Sequence, residues 1–356
     1  MRIFQAALPA AMRSSGAAIL GGQGTILAGD IGGTNTRLAL FEAGNLREPL
    51  VMKVYGSGDY ESLLTIINTF FEDIGAESEG GKSWAKPTRA GFGVAGPVNG
   101  NLVKLTNLPW VIDSERIRQR IGLEKVTFVN DFAANCYAVT RLGPEDLRQI
   151  GGGDTVEGQP IAVLGAGTGL GEAFMIHDGR DYLVVPSEGG HTDFAPRNTL
   201  EIRLLEFLTK RFGRVSYERI LSGPGLVNVY EFFRDSERLA ESGAVREEMR
   251  NEDSGVVITR NALKRSDTLC ERALDLFCAV YGAEAGNLAL KLLTKGGVFL
   301  AGGIAAKIIE RLDEGAFRHG FETKGRYTSF LEGIPTYVIV HPQPGLMGAA
   351  VAALRD

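Results

Sequence analysis

The sequence predicts an α/β protein built from two lobes. Its 356 residues are more than one average domain holds, since a domain has about 150 residues. Apolar segments of strand character alternate with amphipathic helical segments, which is typical of the α/β class. A unit of strand, glycine-rich turn and strand occurs once in each half of the chain, around residues 25–42 and again around residues 160–176. The repetition indicates two related lobes facing one cleft.

The first half of the chain begins with a predicted hairpin. Thr25–Gly29 is an apolar strand that ends at Asp30, and Arg37–Glu42 resumes the strand after the turn Gly32–Asn35. Because both flanks have strand character, we predict a hairpin and not a strand-to-helix crossover. A helix, a polar loop and two buried strands follow, at Tyr60–Ile74, Ala76–Pro87, Arg89–Ala95 and Val126–Val129.

The second half repeats the hairpin and is then mainly helical. The hairpin consists of the strand Pro160–Leu164, the turn Gly165–Gly171 and the strand Glu172–Ile176. Later elements are three helices, a strand, a helix starting at Ala305, a strand and a closing helix, at Thr199–Phe212, Gly225–Arg234, Asp267–Leu293, Gly297–Leu300, Pro335–Val340 and Gly345–Leu354. The apolar stretch Leu274–Leu293 fits either a core helix or an interface helix.

Composition and charge exclude several classes of protein. With 38 basic and 43 acidic residues the net charge is −5, and no basic block marks a nucleic-acid surface. The hydrophobic share of 44% is that of a folded globular chain. No apolar run reaches the roughly 18 residues of a membrane-spanning helix. The three cysteines, Cys136, Cys270 and Cys278, lack CxxC spacing, so we expect buried thiols in a reducing, cytoplasmic setting and no disulfide framework or zinc knuckle.

Residues 1–24 differ from the rest of the chain. They include Arg2 and Arg13, and no acidic residue precedes Asp30. A short apolar stretch at Phe4–Ala11 resembles a signal peptide only weakly, because it contains a proline and is followed by Arg13. We expect a disordered extension or a start-site artefact, and an organelle transit peptide is the alternative.

Two glycine-rich segments differ from the familiar phosphate-binding motifs. Gly165–Gly171 lacks the last glycine of a dinucleotide fingerprint, because Leu170 stands there, and it precedes a strand where the fingerprint opens a helix. Gly80–Ser83 resembles the end of a P-loop, but Ala76 stands at the position of its first glycine. The remaining arrangement is a nucleotide held between two hairpin turns.

Hairpin turns rich in glycine, threonine and asparagine offer backbone N–H groups and hydroxyls to phosphate oxygens. Asp30, just before the first turn, repels a phosphate but can hold Mg²⁺ through water, because Mg²⁺ binds few carboxylates and keeps several waters. Each turn taken singly also fits a hairpin without a ligand. Two matched turns, together with Gly302 and Gly303 at a helix start, favour the nucleotide site.

Several segments carry a family resemblance. Asp30–Arg37 and Leu164–Gly171 resemble the two phosphate segments of the actin, Hsp70 and sugar-kinase superfamily, and Leu300–Ile304 resembles its adenosine segment. Over residues 25–355 the chain is similar to the bacterial-type glucokinase family, through Leu105–Trp110, Phe128–Phe132, Ser187–His191 and Glu218–Gly225. The resemblance implies an actin-like ATPase (ribonuclease H-like) fold with a central interlobe cleft. It also implies a small lobe at 25–132 and a large lobe at 133–356, whose C-terminal helix at 345–355 returns to the small lobe.

The resemblance implies an activity as well. An ATP-dependent glucokinase transfers the γ-phosphoryl of ATP to the 6-hydroxyl of glucose, with Mg²⁺, in the cytoplasm, as the entry to glycolysis and as a homodimer. Asp30 would hold Mg²⁺ through water. The nucleotide would be bound by Asp30, Gly32, Gly33, Thr34, Asn35, Gly167, Thr168, Gly169, Gly302 and Gly303.

Asp131 is the candidate catalytic base. From its position after a buried strand it fits either a helix N-cap or a carboxylate that accepts the proton of an attacking hydroxyl. The resemblance implies the catalytic role.

Glu188 and His191 are separated by two glycines, which let a loop present both side chains to one ligand. The resemblance implies that the glucose hydroxyls are contacted by Asn107, Asn130, Asp131, Glu188, His191 and Glu218. A related zinc-containing branch pairs such a histidine with a cysteine cluster, but no cysteine lies between Cys136 and Cys270, so we expect no zinc.

Two side chains near these residues have open roles. We expect Trp110 either to line the wall of the site or to lie in the core. Arg37 either assists the transferring phosphoryl group or lies at the surface.

Two other functions are alternatives to a sugar kinase. A sugar-sensing transcriptional regulator would need a DNA-binding module, and no helix-turn-helix pattern precedes the first strand. An actin- or Hsp70-like scaffold ATPase would lack the sugar-binding residues. Among kinases, fructose, mannose, glucosamine and N-acetylmannosamine are open alternatives as acceptors, and polyphosphate and ADP as donors.

Overall fold

The computed structural model describes residues 24–77, 84–96, 98, 100–105 and 108–355. These residues form two compact units. The N-terminal unit comprises the described residues up to Glu145, together with Arg180–Val184 and the chain from His341 onward. The C-terminal unit comprises Asp146–Gly179 and Val185–Val340. The predicted extension, apart from Gly24, and the segment Gly80–Ser83 lie outside the described residues.

The elements are numbered in chain order. The strands are β1 Thr25–Ile31, β2 Asn35–Glu42, β3 Val51–Gly56, β4 Pro87–Val94, β5 Leu102–Lys104, β6 Val111–Asp113, β7 Lys125–Asn130, β8 Leu147–Gly151, β9 Ile161–Ala166, β10 Leu170–His177, β11 Tyr182–Ser187, β12 Val298–Ala301 and β13 Thr336–Ile339. The helices are α1 Leu63–Glu77, α2 Ser114–Ile121, α3 Asp131–Val139, α4 Thr199–Phe212, α5 Gly223–Asp235, α6 Gly243–Asn251, α7 Ser254–Leu263, α8 Thr268–Leu292, α9 Gly303–Lys307, α10 Ile309–Asp313, α11 Ala316–Glu322, α12 Thr328–Glu332 and α13 Pro344–Leu354. In this part of the chain, no helix combines the length and the apolar character that a membrane crossing requires.

The main sheet of the N-terminal unit has the strand order β3–β2–β1–β4–β7. Strands β1 and β2 pair antiparallel, with Asp30 opposite Arg37, so the predicted first hairpin is confirmed. Strands β1, β4 and β7 are parallel. Because the carboxyl ends of parallel strands meet at one edge of a sheet, Asp30 and Asn130 lie at the same edge.

Both faces of this sheet are covered. Leu27 and Ile31 of β1 pack into the cluster that includes α1 and α2, while Ile26 and Ala28 pack into the cluster that includes α13. A strand that is buried on both faces needs apolar side chains at successive positions, because neighbouring side chains point to opposite faces. This explains the nearly continuous apolar run of β1.

Helix α13 packs against α3, β1 and β4 at unusually short range. A Cβ built on Gly348 would overlap the carbonyl oxygen of Ala134 in α3, and one built on Gly91 of β4 would overlap that of Ala349. The helix therefore approaches its neighbours where side chains are missing. It fixes α3, the helix that begins with Asp131.

The sheet of the C-terminal unit has the strand order β11–β10–β9–β12–β13–β8. Strands β9 and β10 pair antiparallel, which confirms the second predicted hairpin. The long helix α8 is buried over most of its length, including Leu274, Tyr281 and Leu288. Its apolar residues thus form core, the first of the two roles predicted for it.

Several boundaries differ from the prediction. Strand β9 continues to Ala166 and β10 begins at Leu170, so the second turn is shorter than Gly165–Gly171. Helix α9 begins at Gly303, before the predicted Ala305. The exposed strands β3 and β11 were missed, because side chains such as Met52 and Val54 alternate with others of intermediate exposure and give no clear core face.

Candidate active site

The first glycine turn, Gly32–Asn35, is fixed from within the N-terminal unit by Ser57. The Gly32 N–H group donates to the carbonyl oxygen of Asn35 at 3.0 Å, which closes the turn. Ser57 Oγ donates to Gly32 O at 2.8 Å, and the Ser57 N–H group donates to Thr34 O at 2.8 Å. Thr34 itself is exposed. The turn thus has a fixed backbone and presents a hydroxyl to solvent. No pattern in the sequence pointed to Ser57.

Asp30 lies at the end of β1 and forms an ion pair across the hairpin. Arg37 Nη1 donates to Asp30 Oδ2 at 3.1 Å. Burial raises the pKa of the Asp30 carboxyl, and the neighbouring guanidinium opposes that rise. Side-chain exposures of 31% for Asp30 and 36% for Arg37 leave the pair open to solvent. Arg37 is therefore a partner of Asp30, a third role beside the two that the sequence left open.

Asp131 is the first residue of α3, and Asn130 caps that helix. Asn130 Oδ1 accepts from the N–H groups of Phe132 at 2.9 Å and Ala133 at 3.2 Å. The N-cap alternative for Asp131 is therefore wrong, because the preceding residue takes that place. Asp131 Oδ1 accepts from the Phe132 N–H group at 2.8 Å.

The environment of Asp131 raises the pKa of its carboxyl. Its side chain is exposed at the surface, yet neighbouring protein atoms remove part of its solvent and raise its pKa. The hydrogen bond from Phe132 opposes that rise, and the negative charge of Asp30 adds to it. A carboxylate with a raised pKa takes up a proton more readily, as a general base requires.

Strand β4 holds the start of α3 in place. A Cβ on Gly93 would lie 3.3 Å from Ala134 Cβ and 3.7 Å from Asp131 Cα, so glycine permits this close approach. Asn130 Nδ2 donates to the carbonyl oxygen of Gly96 at 3.3 Å. Asn130 thus has a structural role at the start of α3.

Two predictions near this site have different outcomes. Trp110 is buried in the core of the N-terminal unit, at 4% exposure, so it is a core residue. Asn107 lies outside the described residues.

The second glycine turn, Gly167–Gly169, belongs to the C-terminal unit. The Gly167 N–H group donates to Gly169 O, and the Gly223 N–H group donates to Gly167 O, both at 2.8 Å. Thr168 at its tip is exposed. A Cβ on Gly169 would lie 2.5 Å from Glu218 Oε2. A side chain at residue 169 would therefore require the Glu218 carboxylate to move.

Gly302 and Gly303 join β12 to α9. Gly302 has a φ of +84°, and a Cβ there would lie 2.6 Å from Ala166 O at the end of β9. Both the backbone conformation and the close approach require glycine. A Cβ on Gly303 would meet no atom within 4 Å. The predicted adenosine segment thus begins beside the second glycine turn.

His191 and Glu218 are brought together by backbone pairing. Asp193 forms an isolated bridge with Ser216, and the Tyr217 N–H group donates to Thr192 O at 3.1 Å. His191 Nδ1 consequently lies 3.7 Å from Glu218 Oε1.

Glu218 also contacts the second glycine turn. Its Oε2 atom accepts from the Leu170 N–H group at 3.0 Å. One carboxylate therefore connects His191 to the end of that turn.

Glu188 precedes the short 3₁₀ turn Gly189–His191 and is exposed. The two intervening glycines were predicted to let this loop fold back, and the physical reason is close packing. A Cβ on Gly189 would overlap Glu172 Oε2, and one on Gly190 would overlap Leu170 O. Glu172 was missed as part of this site, although an acid inside an apolar strand is a signal that could have marked it.

Comparison with known proteins identifies the chain as a sugar kinase of the actin-like ATPase fold. The family model described as Glucokinase matches residues 27–356. A glucokinase of Trichormus variabilis is 43% identical over 345 residues, which is 93% of this chain and 99% of the relative. The chain belongs to the glucokinase family.

Solved structures agree with this assignment. The glucokinase of an Antarctic psychrotroph has a TM-score of 0.79 and 31% identity, and the match covers 92% of this chain and 98% of that one. A ROK family glucokinase from Streptomyces griseus, in complex with glucose and AMPPNP, has a TM-score of 0.62 and 19% identity, with 93% and 99% covered. At that identity the second likeness concerns the fold alone.

Proposed function

We propose that this member of the glucokinase family transfers the γ-phosphoryl group of ATP to the 6-hydroxyl of D-glucose. The products are glucose 6-phosphate, which enters glycolysis, and ADP. The observation that carries the proposal is the position of Glu218, whose two oxygens contact His191 and the end of the second glycine turn. A group suited to a sugar hydroxyl thus adjoins a turn suited to phosphate.

The sugar is held by polar side chains. Carboxylates accept hydrogen bonds from neighbouring hydroxyls, and an imidazole accepts one or donates one. We assign this role to Glu188, His191, Glu218 and Asn130 and, from the family resemblance, to Asn107. A sugar that lacks or inverts one hydroxyl leaves one of these groups unpaired, which costs about 1–3 kcal/mol.

Asp131 takes the proton. As the 6-hydroxyl oxygen bonds to the γ-phosphorus, the bond from that phosphorus to the β–γ bridging oxygen breaks and ADP leaves with its electrons. The hydroxyl proton passes to the Asp131 carboxylate. The raised pKa of Asp131 supports this role, because it reduces the difference between the pKa of the carboxyl and that of the sugar hydroxyl.

The glycine turns hold the nucleotide. We assign the phosphates to Gly32, Gly33, Thr34 and Asn35 and to Gly167, Thr168 and Gly169, and the adenosine to Gly302 and Gly303. Asp30 fits Mg²⁺ through water, because it is half-buried, open to solvent and already shares one oxygen with Arg37. When bound, Mg²⁺ neutralises charge on the β- and γ-phosphates.

The proposal is tested by ADP release from Mg·ATP with glucose, mannose, glucosamine, fructose and N-acetylmannosamine as acceptors. We expect turnover that requires both a sugar and Mg²⁺ and is fastest with glucose. Replacing ATP by ADP or polyphosphate tests the donor. Hydrolysis of ATP at the same rate without any sugar would contradict a kinase and favour the scaffold ATPase.

Asp30→Asn tests the magnesium site. Asparagine removes the negative charge, which weakens a water-mediated contact to the ion, and keeps the hairpin. We therefore expect the Mg²⁺ concentration for half-maximal turnover to rise about tenfold. Activity is measured against free Mg²⁺ at saturating ATP and glucose. Arg37→Gln is the matched control, because it alters the same pair and leaves the carboxylate. An unchanged Mg²⁺ requirement in Asp30→Asn would remove Asp30 from the site.

We further propose a cytoplasmic homodimer. The location is supported by the substrate, because ATP is supplied there. The dimer follows from the family resemblance, and sedimentation velocity over a range of concentrations tests it.

A further inference from the structure

Two buried acids that the proposed reaction does not use lie in the C-terminal unit. Glu172 of β10 is 1% exposed, and Glu284 of α8 is fully buried. Neither oxygen of Glu172 has a hydrogen-bond partner among the described residues. Burying such a group costs free energy, and the cost is much smaller when the carboxyl is neutral.

The carboxyl of Glu172 lies against the turn that carries the sugar-binding residues. Its Oε2 atom occupies the place where a side chain at residue 189 would begin, so Gly189 rests directly on it. The Gly189 N–H group donates to Ser187 Oγ at 2.9 Å, which leaves the carboxyl as a packing support and not a hydrogen-bond partner. Glu188 and His191 flank this supported backbone.

Glu284 extends the same arrangement to Glu218. Asn287 Nδ2 donates to Glu284 Oε2 at 2.8 Å and to Tyr217 Oη at 3.1 Å. Tyr217 begins the 3₁₀ turn that contains Glu218. The turn Gly189–His191 therefore rests on Glu172, and the turn that contains Glu218 is connected through Asn287 to Glu284.

Charge in this region disfavours an ionised Glu172. Burial raises its pKa to about 8, the negative charge of Glu284 adds to the rise, and Lys291 opposes it. Tyr281 of α8, whose hydroxyl donates to Leu164 O at 3.3 Å, also lies close to Glu172, since burial raises the pKa of the phenol and the negative charge of Glu172 adds to that rise. Strand β9 places Leu164 opposite Glu172. Glu284 in turn faces Tyr217, Lys291 and Lys324.

We propose that Glu172 is a positioning residue for sugar binding, which supports Gly189 as a neutral acid and displaces the turn Gly189–His191 when it loses its proton. The inference rests on the proposed function, since that turn carries two of the assigned glucose ligands. Glucose affinity then falls in alkaline solution, while ATP affinity is unchanged.

The test measures glucose binding by titration calorimetry, without nucleotide, from pH 6.5 to pH 9.5. If only the protonated form binds well, the Kd for glucose rises about tenfold per pH unit above the pKa of Glu172. Glu172→Gln keeps a neutral side chain of the same size, so its Kd should stay level from pH 7 to pH 9.5. Glu284→Gln removes the neighbouring negative charge and should move the midpoint to lower pH.

A second readout is the melting temperature. Folded Glu172 keeps its proton where the unfolded chain, with an ordinary carboxyl pKa, has lost it, so stability falls as pH rises toward 8. Glu172→Gln should therefore melt higher than the parent protein at pH 8, with little difference at pH 4.5.

The outcomes separate the two proposals. A protein that phosphorylates glucose at pH 7 but shows a level Kd up to pH 9.5, or a Glu172→Gln variant with the parental pH dependence, overturns the role of Glu172 alone. A protein without sugar-dependent turnover or glucose binding at pH 7 overturns the proposed function, and this inference with it.

Discussion

Asp131→Asn is expected to lower glucose-dependent turnover by about 10²–10⁴-fold, the range that positioned general bases contribute. The amide cannot accept the proton of the 6-hydroxyl at neutral pH. Glucose binding should change little, because the amide keeps the size of the side chain and can still bond to a hydroxyl. Turnover is measured as ADP release, and the Kd for glucose by calorimetry.

The matched control for this variant is Asp113→Asn. Asp113 caps α2 of the same unit, where its carboxylate accepts from the N–H groups of Glu115 and Arg116, and asparagine caps helices equally well. The control should keep both turnover and melting temperature. Turnover of Asp131→Asn within a few-fold of the parent would exclude Asp131 as the base. An equal loss in both variants would point to helix stability as the cause.

The glycine turns were predictable because their chemistry is local. Gly32, Gly33, Gly167 and Gly169 interrupt strands of strong apolar character, and the strands on either side pair as expected. The contact of Arg37 with Asp30 also follows from the hairpin register, since the two residues face each other across the turn. The ion pair between Arg37 and Asp30 could therefore have been predicted from the sequence.

Other features depend on contacts between distant segments. Ser57 fixes a turn whose residues lie more than twenty positions earlier, and no spacing rule connects them. Likewise, nothing in the sequence around Glu172 shows that its carboxyl lies under Gly189 or near Glu284. An acid inside an apolar strand marks Glu172 as unusual, but its neighbours are decided by the packing of α8 on the sheet, which local patterns do not contain.

The composition of helix α13 does indicate how the helix packs. Its sequence PGLMGAAVAAL contains mostly small residues, which is typical of a helix that approaches its neighbours closely. The family resemblance implied that this helix returns to the small lobe, but local patterns could not predict its contact with α3, which lies about 200 residues earlier. Contact with α3 makes this C-terminal helix part of the support for Asp131.

Gly348→Ala is therefore expected to destabilise the protein by about 3 kcal/mol, the upper end of typical overpacking costs. The added methyl group would overlap the Ala134 carbonyl oxygen, a backbone atom that cannot rotate away, so α13 and α3 must separate. Because Asp131 begins α3, turnover should fall together with the melting temperature.

Gly345→Ala in the same helix is the matched control with the opposite expected sign. Its Cβ would meet only Asn135 Oδ1, at 3.9 Å, which is an ordinary contact. Alanine is favoured over glycine in a helix by about 0.5–1 kcal/mol, so this variant should be as stable as the parent or more stable. Chemical unfolding of both variants measures the difference. Equal stability of the two would mean that α13 does not depend on contact with α3, and that Asp131 is held by β4 and Asn130 alone.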